Sequence, residues 1–378
     1  MDELNDINPV EKRLVDKAGA GRIPISASFE LTPVCNLKCD MCYVRMGADE
    51  VKRTGGLRSR EQWLHTAEEL RQAGTLFLLL TGGEPLLYPE FADLYVRLKQ
   101  MGFILTINTN ATLMTEEVIG LFQKCRPRRV NVTLYGSSNE TYRELCHVSE
   151  GFDRCMRGLR LLKQGGIDTK INFTLLKKNY ADYPRLLEIA RELDMPVSVS
   201  SYLSVFRSQT CTSQLDIPQI RLDAGRVAEA DIEYLKFKKG DGYSAYVEEM
   251  GGFLQCNVPT VSEGQGLTCR AGKSSCWINW QGVMTPCVDM DTPAASLDRM
   301  PVAEAWKMMT EERERLPLHT ECAGCALRPV CDVCYANARN EKRRCGSLHY
   351  LCEMAAAKKE LLIKESENFR ERTKYETE

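Results

Sequence analysis

Cys35-Asn36-Leu37-Lys38-Cys39-Asp40-Met41-Cys42 is the stretch on which the fold of this chain turns. Its CxxxCxxC spacing offers three thiolates to one metal site. A four-iron, four-sulfur cluster ordinarily takes four protein ligands, so three leave one iron open to a small molecule. The other reading is a zinc or disulfide site that lacks one partner. Just upstream, Ala27 to Leu31 reads as a short strand feeding the loop. Parallel α/β sheets carry their active sites at the C-terminal ends of strands, which is where this loop falls.

Outward from the loop, strand and helix periods alternate over the first 210 residues. Arg60 to Ala73 puts Trp63, Ala67 and Leu70 on one helical face, and Leu76 to Thr81 is a short buried strand. Phe91, Leu94, Tyr95, Leu98 and Met101 recur at helical spacing, and Gly102 stops that helix. Ile104 to Asn108 is strand-like; Val130, Val132 and Leu134 alternate, as do Ile171, Phe173 and Leu175. Leu186, Leu187, Ala190 and Leu193 make another helical face, and Val197 to Tyr202 closes the series. Six strands separated by helices predict a parallel α/β sheet with right-handed crossovers, an open, partial (β/α)6 barrel. Pattern alone does not separate six such units from a closed barrel of eight.

The chain has 378 residues, room for two or three domains, and 43% of them are hydrophobic. A net charge of −2 gives no field for nucleic acid or membrane. The longest apolar run, Leu76 to Leu80, is too short to cross a bilayer, and the acidic N-terminus, Met1 to Asn8, is no export signal. Seventeen cysteines without such a signal point to metal binding in the cytoplasm rather than to a disulfide scaffold.

A second motif, Thr81-Gly82-Gly83-Glu84-Pro85, ends the second strand. Two glycines let backbone approach a ligand, and a carboxylate beside them can accept from an ammonium group. Together the two motifs resemble the signature of the radical S-adenosylmethionine (radical SAM) enzymes. The resemblance implies six barrel units and a cluster on Cys35, Cys39 and Cys42 that chelates S-adenosylmethionine. It assigns Gly82, Gly83 and Glu84 to the amino group of that cofactor and Met41 to its adenine. Asn110, Thr133 and the downstream Arg143 are the candidates for its ribose and carboxylate.

Cysteine returns from 269 to 352. Cys269 is followed by twelve residues, Gly282, four residues and Cys287; then come Cys322, Cys325, Cys331, Cys334 and Cys352. This resembles the SPASM domain, an auxiliary-cluster module of radical SAM peptide and protein modifiers. The family has three residues between its fifth and sixth cysteines, whereas Cys331 and Cys334 are separated by two. The resemblance implies one auxiliary cluster on Cys269, Cys287 and Cys334, with Cys276 or Cys256 as fourth ligand or the position open. A second would use Cys322, Cys325, Cys331 and Cys352, with Cys345 as rival to Cys352. With the first loop that makes three [4Fe-4S] clusters; structural zinc is the alternative for the CxxC pairs. Cys125, Cys146, Cys155 and Cys211 have no motif spacing and read as buried small hydrophobes; His65, His147, His319 and His349 form no pattern.

The domains expected are an N-terminal segment (1–25), the radical SAM barrel (26–210), a bridging region with helical pieces (211–265), the SPASM domain (266–356) and a solvated polar helix (357–378). Relatives of this kind act mostly on peptides. Thr133-Leu134-Tyr135-Gly136-Ser137-Ser138 and Trp277-Ile278-Asn279-Trp280-Gln281-Gly282 look most like ribosomal-peptide maturases. The expected reaction is hydrogen abstraction followed by an oxidative thioether or carbon–carbon crosslink. Sulfatase maturation is the less favoured branch, because Val288 stands where that branch has its catalytic aspartate; Asp289, one further on, reads as proton acceptor or turn residue. A haem-precursor substrate and a non-catalytic metal scaffold stay open. Only 34 residues precede Cys35, fewer than the fused leader-binding domain of several maturases needs, so either a separate leader-recognition protein supplies that grip or recognition differs. An electron donor such as flavodoxin or ferredoxin completes the list of partners.

Overall fold

Alternating and wholly apolar runs become strands here, and stretches with apolar residues three and four apart become helices. The computed structural model describes residues 9–205, 216–255, 267, 269–317, 320–322 and 324–376. Cys211, Cys256 and His319 lie outside the described residues. The elements begin α1 (Pro9–Ala20), β1 (Ser26–Glu30), α2 (Ala48–Arg53), α3 (Arg60–Gln72), β2 (Phe77–Thr81), α4 (Phe91–Gln100), β3 (Ile104–Thr109), α5 (Glu116–Lys124) and β4 (Arg129–Thr133). Next come α6 (Asn139–Cys146), α7 (Gly151–Gln164), β5 (Thr169–Thr174), α8 (Tyr183–Leu193), β6 (Val197–Ser200), α9 (Ile217–Ile220), α10 (Ala224–Lys239) and α11 (Tyr243–Gln255). The last are β7 (Ser275–Ile278), β8 (Val283–Thr285), β9 (Ala295–Ser296), α12 (Val302–Glu314), α13 (Tyr335–Cys345) and α14 (His349–Glu376).

These divide into two units, Met1–Ser200 with Phe206–Ile220 and Cys269–Arg315, and Ser201–Val205 with Arg221–Thr268 and Leu316–Glu378. The first unit is built on one nine-stranded sheet in the order β6-β5-β4-β3-β2-β1-β7-β8-β9. β1 to β6 are the six expected parallel strands. β7 pairs parallel with the far edge of β1, and β8 and β9 follow antiparallel. Those three strands come from the segment expected in a separate SPASM domain; here they extend the barrel's own sheet.

Strand alternation decides which residues meet the helices. Phe29, Leu80, Ile107, Val132 and Ile171 are fully buried on the helix-covered face. Trp63 of α3, also fully buried, lies against Phe29 with ring centroids 4.5 Å apart. Truncating a buried Trp of this kind costs about 3–5 kcal/mol. Ser59 caps α3, its side chain accepting from Gln62 N at 3.2 Å, while Gln62 reaches back to Ser59 N at 2.8 Å. At the N-terminal ends of the strands, α1 is fixed by Glu11, which accepts from Arg128 at 3.1 and 2.6 Å.

The second unit is helical. Ile232 of α10, Val247 and Leu254 of α11, and Ala355 and Leu362 of α14 share one core with Val330. The expectation of a solvated C-terminal helix is corrected: α14 is charged on average, but Ala355, Leu362 and Phe369 recur every seven residues and pack on α10 and α11. The helices approach closely, since a Cβ on Gly251 would lie 2.3 Å from Ser366 Cβ. A buried bidentate pair, Arg221 to Glu341 at 3.0 and 2.7 Å, lies beneath Tyr350, whose ring centroid is 3.5 Å from the guanidinium.

Candidate functional site

Backbone approach fixes the rim above β1 and β2. Gly83 N donates to Thr32 O at 2.6 Å and Glu84 N to Val34 O at 2.9 Å. A Cβ on Gly82 (φ +149°) would lie 2.4 Å from Thr32 O, and one on Gly83 2.5 Å from Val34 O. The missing side chains therefore admit the backbone that opens the cysteine loop, whereas the motif by itself suggests room for a ligand. Glu84 is fully buried and accepts from Leu86 N at 3.2 Å, Thr109 Oγ1 at 2.8 and 3.0 Å, and Asn110 N at 2.9 Å. Burial pushes its carboxyl up to about 7, against the pull of those donors. Glu84 thus ties the ends of β2 and β3 together.

Two of the three cysteines of the loop have donors aimed at their sulfur. Leu37 N reaches Cys35 Sγ at 3.4 Å and Asn110 Nδ2 at 3.7 Å; Arg45 N reaches Cys42 Sγ at 3.3 Å. Asn110 Nδ2 also donates to Asn36 Oδ1 at 3.0 Å, Asn36 Nδ2 to Thr112 Oγ1 at 2.7 Å, and Thr112 N to Asn110 Oδ1 at 2.9 Å. This closed ring fixes the loop to the end of β3. Burial pushes the Cys35 thiol up to about 12, with smaller upward contributions from Glu84, Cys39 and Cys42. Cys39 is also raised, first by a hydrogen bond with Cys146, then by burial, while the Tyr135 hydroxyl pulls the other way. Among the described residues no three His, Cys, Asp or Glu side chains close on a single-ion site. A four-iron cluster asks for something else, one thiolate on each of several irons, with hydrogen bonds to the sulfurs. The donor set fits that group, and binding would release the protons that burial now holds on the thiols.

Sequence reasoning missed Tyr135, Cys146 and Asp40. Lys38 N bonds Cys146 O at 2.9 Å and Asp40 N bonds Leu145 O at 3.0 Å, which lays the loop along the end of α6. Asp40 accepts from Lys178 at 2.7 Å and meets His147 at 2.6 Å. Partial burial works upward on Asp40, but Lys178 and His147 outweigh it and hold the carboxyl low. No spacing in the sequence links position 39 to 146.

The other expected contacts scatter. Met41 is buried, and Thr133 ends β4 in register with Asn172. Arg143 sits on the exposed side of α6, paired with Glu140. Asp289 lies in the turn after Cys287, where Met290 N bonds Cys287 O at 3.2 Å.

The remaining cysteines fall in two groups. Cys269, Cys276 and Cys287 belong to the first unit, and Cys334 to the second. Cys276 is a buried residue of β7 in register with Ala27, and burial pushes its thiol up to about 12. In the second unit Cys322, Cys325, Cys331 and Cys352 lie within electrostatic reach of one another; burial raises Cys322, Cys331 and Cys352, and neighbouring cysteines add to it. Cys345 lies instead beside Glu341 and Arg221.

An open parallel barrel with three thiols and a clamped glycine turn at its C-terminal rim defines an iron–sulfur enzyme. Residues 29–203 match the Radical SAM superfamily, so the chain carries a radical SAM domain, followed by a cysteine-rich C-terminal region. The AdoMet-dependent heme synthase of Methanosarcina barkeri is 24% identical over 328 residues, covering 83% of this chain and 92% of that protein. The PqqA peptide cyclase of Granulibacter bethesdensis is 22% identical over 260 residues, covering 66% and 69%. Among solved structures, Streptococcus suis SuiB bound to precursor peptide SuiA superposes with TM-score 0.62 at 19% identity, covering 89% of this chain and 79% of SuiB. anSMEcpe with bound AdoMet superposes with TM-score 0.66 at 18% identity, covering 91% and 96%. No helix among the described residues is long and apolar enough to cross a membrane.

Proposed function

We propose that this radical SAM enzyme modifies a ribosomally made peptide and forms an intramolecular thioether or carbon–carbon crosslink. The observation that carries the reading is the gathering of Cys322, Cys325, Cys331 and Cys352 in the second unit. Crosslinking after hydrogen abstraction leaves a surplus electron, and a thiolate-bound auxiliary cluster is a suitable acceptor. The names of the PqqA peptide cyclase and of SuiB with its precursor peptide support a peptide over other substrates.

Bound at the rim, the cluster and S-adenosylmethionine supply the 5′-deoxyadenosyl radical that abstracts hydrogen. Cys35, Cys39 and Cys42 would hold the cluster, and Asn110 and Tyr135 orient two of those sulfurs. Glu84 fixes the strand ends that carry the site. Cys269, Cys287 and Cys334 are proposed for one auxiliary cluster, and Cys322, Cys325, Cys331 and Cys352 for the other. The second reading, oxidation of a haem precursor, is favoured by the heme synthase relative that spans 83% of this chain.

The test is anaerobic incubation of reconstituted enzyme, S-adenosylmethionine and reductant with the short peptides encoded beside its gene. Loss of two hydrogens from one peptide supports the proposal. Unchanged peptides with continued 5′-deoxyadenosine release sink it, and modification of coproporphyrin III in a parallel incubation would establish the second reading.

A further inference from the structure

The two faces of the first unit's sheet are packed differently. The closed barrels related to this fold fill their interior with side chains in layers. Here the inward positions are largely polar, with Ser28 on β1, Thr106 on β3, Asn131 on β4 and Lys170 on β5, and they line a cavity of about 300 Å³. It lies inside the barrel toward the N-terminal halves of the strands and below the cysteine rim; Cys276 and Cys287 line its β7–β8 side, and Asn131 and Lys170 its β4–β5 side.

Three polar atoms on its wall, Ser26 Oγ, Asn131 Oδ1 and Trp277 Nε1, are buried with no hydrogen-bond partner among the described residues. The charges on the wall are unevenly matched; Arg270, which also lines it, has an interaction of its own. Arg128 is held by Glu11 at 3.1 and 2.6 Å, and Arg129 by Asp168 at 3.0 and 3.3 Å. Lys170 is 6% exposed, and among the described residues it makes no hydrogen bond or ion pair. Its register partner across β4 is Asn131, whose Nδ2 is spent on Asn108 Oδ1 at 2.8 Å and whose Oδ1 is one of the orphaned atoms. The Lys170 ammonium is not among the buried polar atoms of the wall, so a largely buried side chain carries an unpaired cation at the cavity, where cations shielded from bulk water are ordinarily paired.

We propose that Lys170 anchors a ligand site inside the barrel, and that the group it takes is a carboxylate. One unmatched lysine balances one negative charge; a phosphate carries closer to two. The indole N–H of Trp277, a donor only, is a second unpaired group on the same cavity wall. The site rests on the radical SAM reading for its function and narrows the substrate under it. From Lys170 to Thr174 at the end of β5 is about 13 Å at the rise of an extended strand. The substrate therefore carries its carboxylate within a distance of that order from the carbon facing the rim. An acidic peptide side chain and the propionate of a small molecule share this chemistry.

The test is equilibrium dialysis of anaerobically reconstituted, full-length enzyme with S-adenosylmethionine and no reductant. The probes are an N-acetyl, C-amide glutamyl tripeptide, its glutaminyl counterpart and coproporphyrin III. The expected result is binding of a carboxylate probe that falls about tenfold or more in Lys170→Met. Lys170→Arg should retain most of the binding. Binding of the glutamyl but not the glutaminyl peptide names a peptide as the source; binding of the porphyrin alone names a small molecule. The proposal is overturned if wild-type enzyme binds no carboxylate probe, or binds it equally after Lys170→Met. Should Lys170→Met misfold, the three probes on wild-type enzyme decide, and equal binding of the glutamyl and glutaminyl peptides with none of the porphyrin overturns the proposal. Deoxyadenosine release on adding reductant is scored separately. Release without carboxylate binding defeats this site alone, and carboxylate binding without release defeats the radical SAM reading alone.

Discussion

The cysteine loop after β1 and the four cysteines near α14 meet a similar chemical demand in opposite ways. The first is pinned by side chains from several elements: Asn110 and Thr112 from the end of β3, Glu84 from β2, and Lys178 and His147 through Asp40. The second is closed by local backbone turns, Cys325 N to Cys322 O at 3.4 Å, Arg328 N to Cys325 O at 3.2 Å and Cys331 N to Arg328 O at 3.2 Å, with ion pairs to its flanks from Lys342 at 3.0 Å and Lys358 at 3.1 Å. If each binds its proposed cluster, the first site is built before the cluster arrives, while the second would gain more order from it, as small metal modules do. A loop that must present an open iron to a cofactor benefits when it is already rigid; a closed electron acceptor has no such need.

The widest gap between the regions should appear on removing a ligand from each. Cys35→Ala is expected to abolish 5′-deoxyadenosine release altogether. Cys352→Ser should leave that release intact while the crosslinked product fails to form. Equal loss in both variants would break the distinction.

The next effect is on stability. Glu84 is raised to about 7, so the folded protein holds a proton that the unfolded chain has lost above the ordinary carboxyl value of 4.5. Stability of the cluster-free protein should therefore fall by roughly 3 kcal/mol as pH rises from about 4.5 to 7. Asp40 has the opposite sign: its contribution is present at neutral pH and is lost as pH falls through its lowered value. Denaturation across this pH range, compared with Glu84→Gln, checks the slope, which the variant should flatten.

Gly83→Ala comes third. The added methyl would meet Val34 O at 2.5 Å and Pro33 O at 2.7 Å, both backbone. We expect about 1–3 kcal/mol of destabilisation and reduced iron loading at the first loop. Fourth, chelating the iron should speed amide exchange at Cys325 and Cys331 by about tenfold or more, since their backbone hydrogen bonds close local turns. Lys38 and Asp40, bonded to Cys146 O and Leu145 O, should change less.

Much of this is legible in the sequence, for definable reasons. Alternation at Val130 and Val132, and again at Ile171 and Phe173, marks strands because one face of each is buried under helices. The spacing of Cys35, Cys39 and Cys42 names the site because the ligands are local in the chain. The rest is nonlocal. Ser275–Ile278 is too short to announce itself, and only its register on Ser26–Phe29 makes it part of the sheet. The charges of α14 mask the seam of Ala355, Leu362 and Phe369. Lys170 is one strand cation among many in the sequence, and only its burial without a matching charge sets it apart.

The smallest expected effect is the most specific. Tyr135 sits in the sequence as one residue of a family-like stretch, but its hydroxyl lowers the Cys39 thiol, an influence from the end of β4 on the loop after β1. Hydrogen bonds to ligand sulfur withdraw electron density and favour the reduced cluster. Tyr135→Phe keeps the ring that meets Tyr142 edge-on at 6.2 Å, so packing survives and one donor disappears. The cluster's midpoint potential should then move to a more negative value at unchanged iron content, read by a redox titration followed by electron paramagnetic resonance. With a weak physiological-type donor, deoxyadenosine yield should fall; with strong chemical reductant it should not. A potential that stays put would leave the hydroxyl a packing group, and the rigidity of the first loop would then rest on Asn110, Asp40 and Glu84 without it.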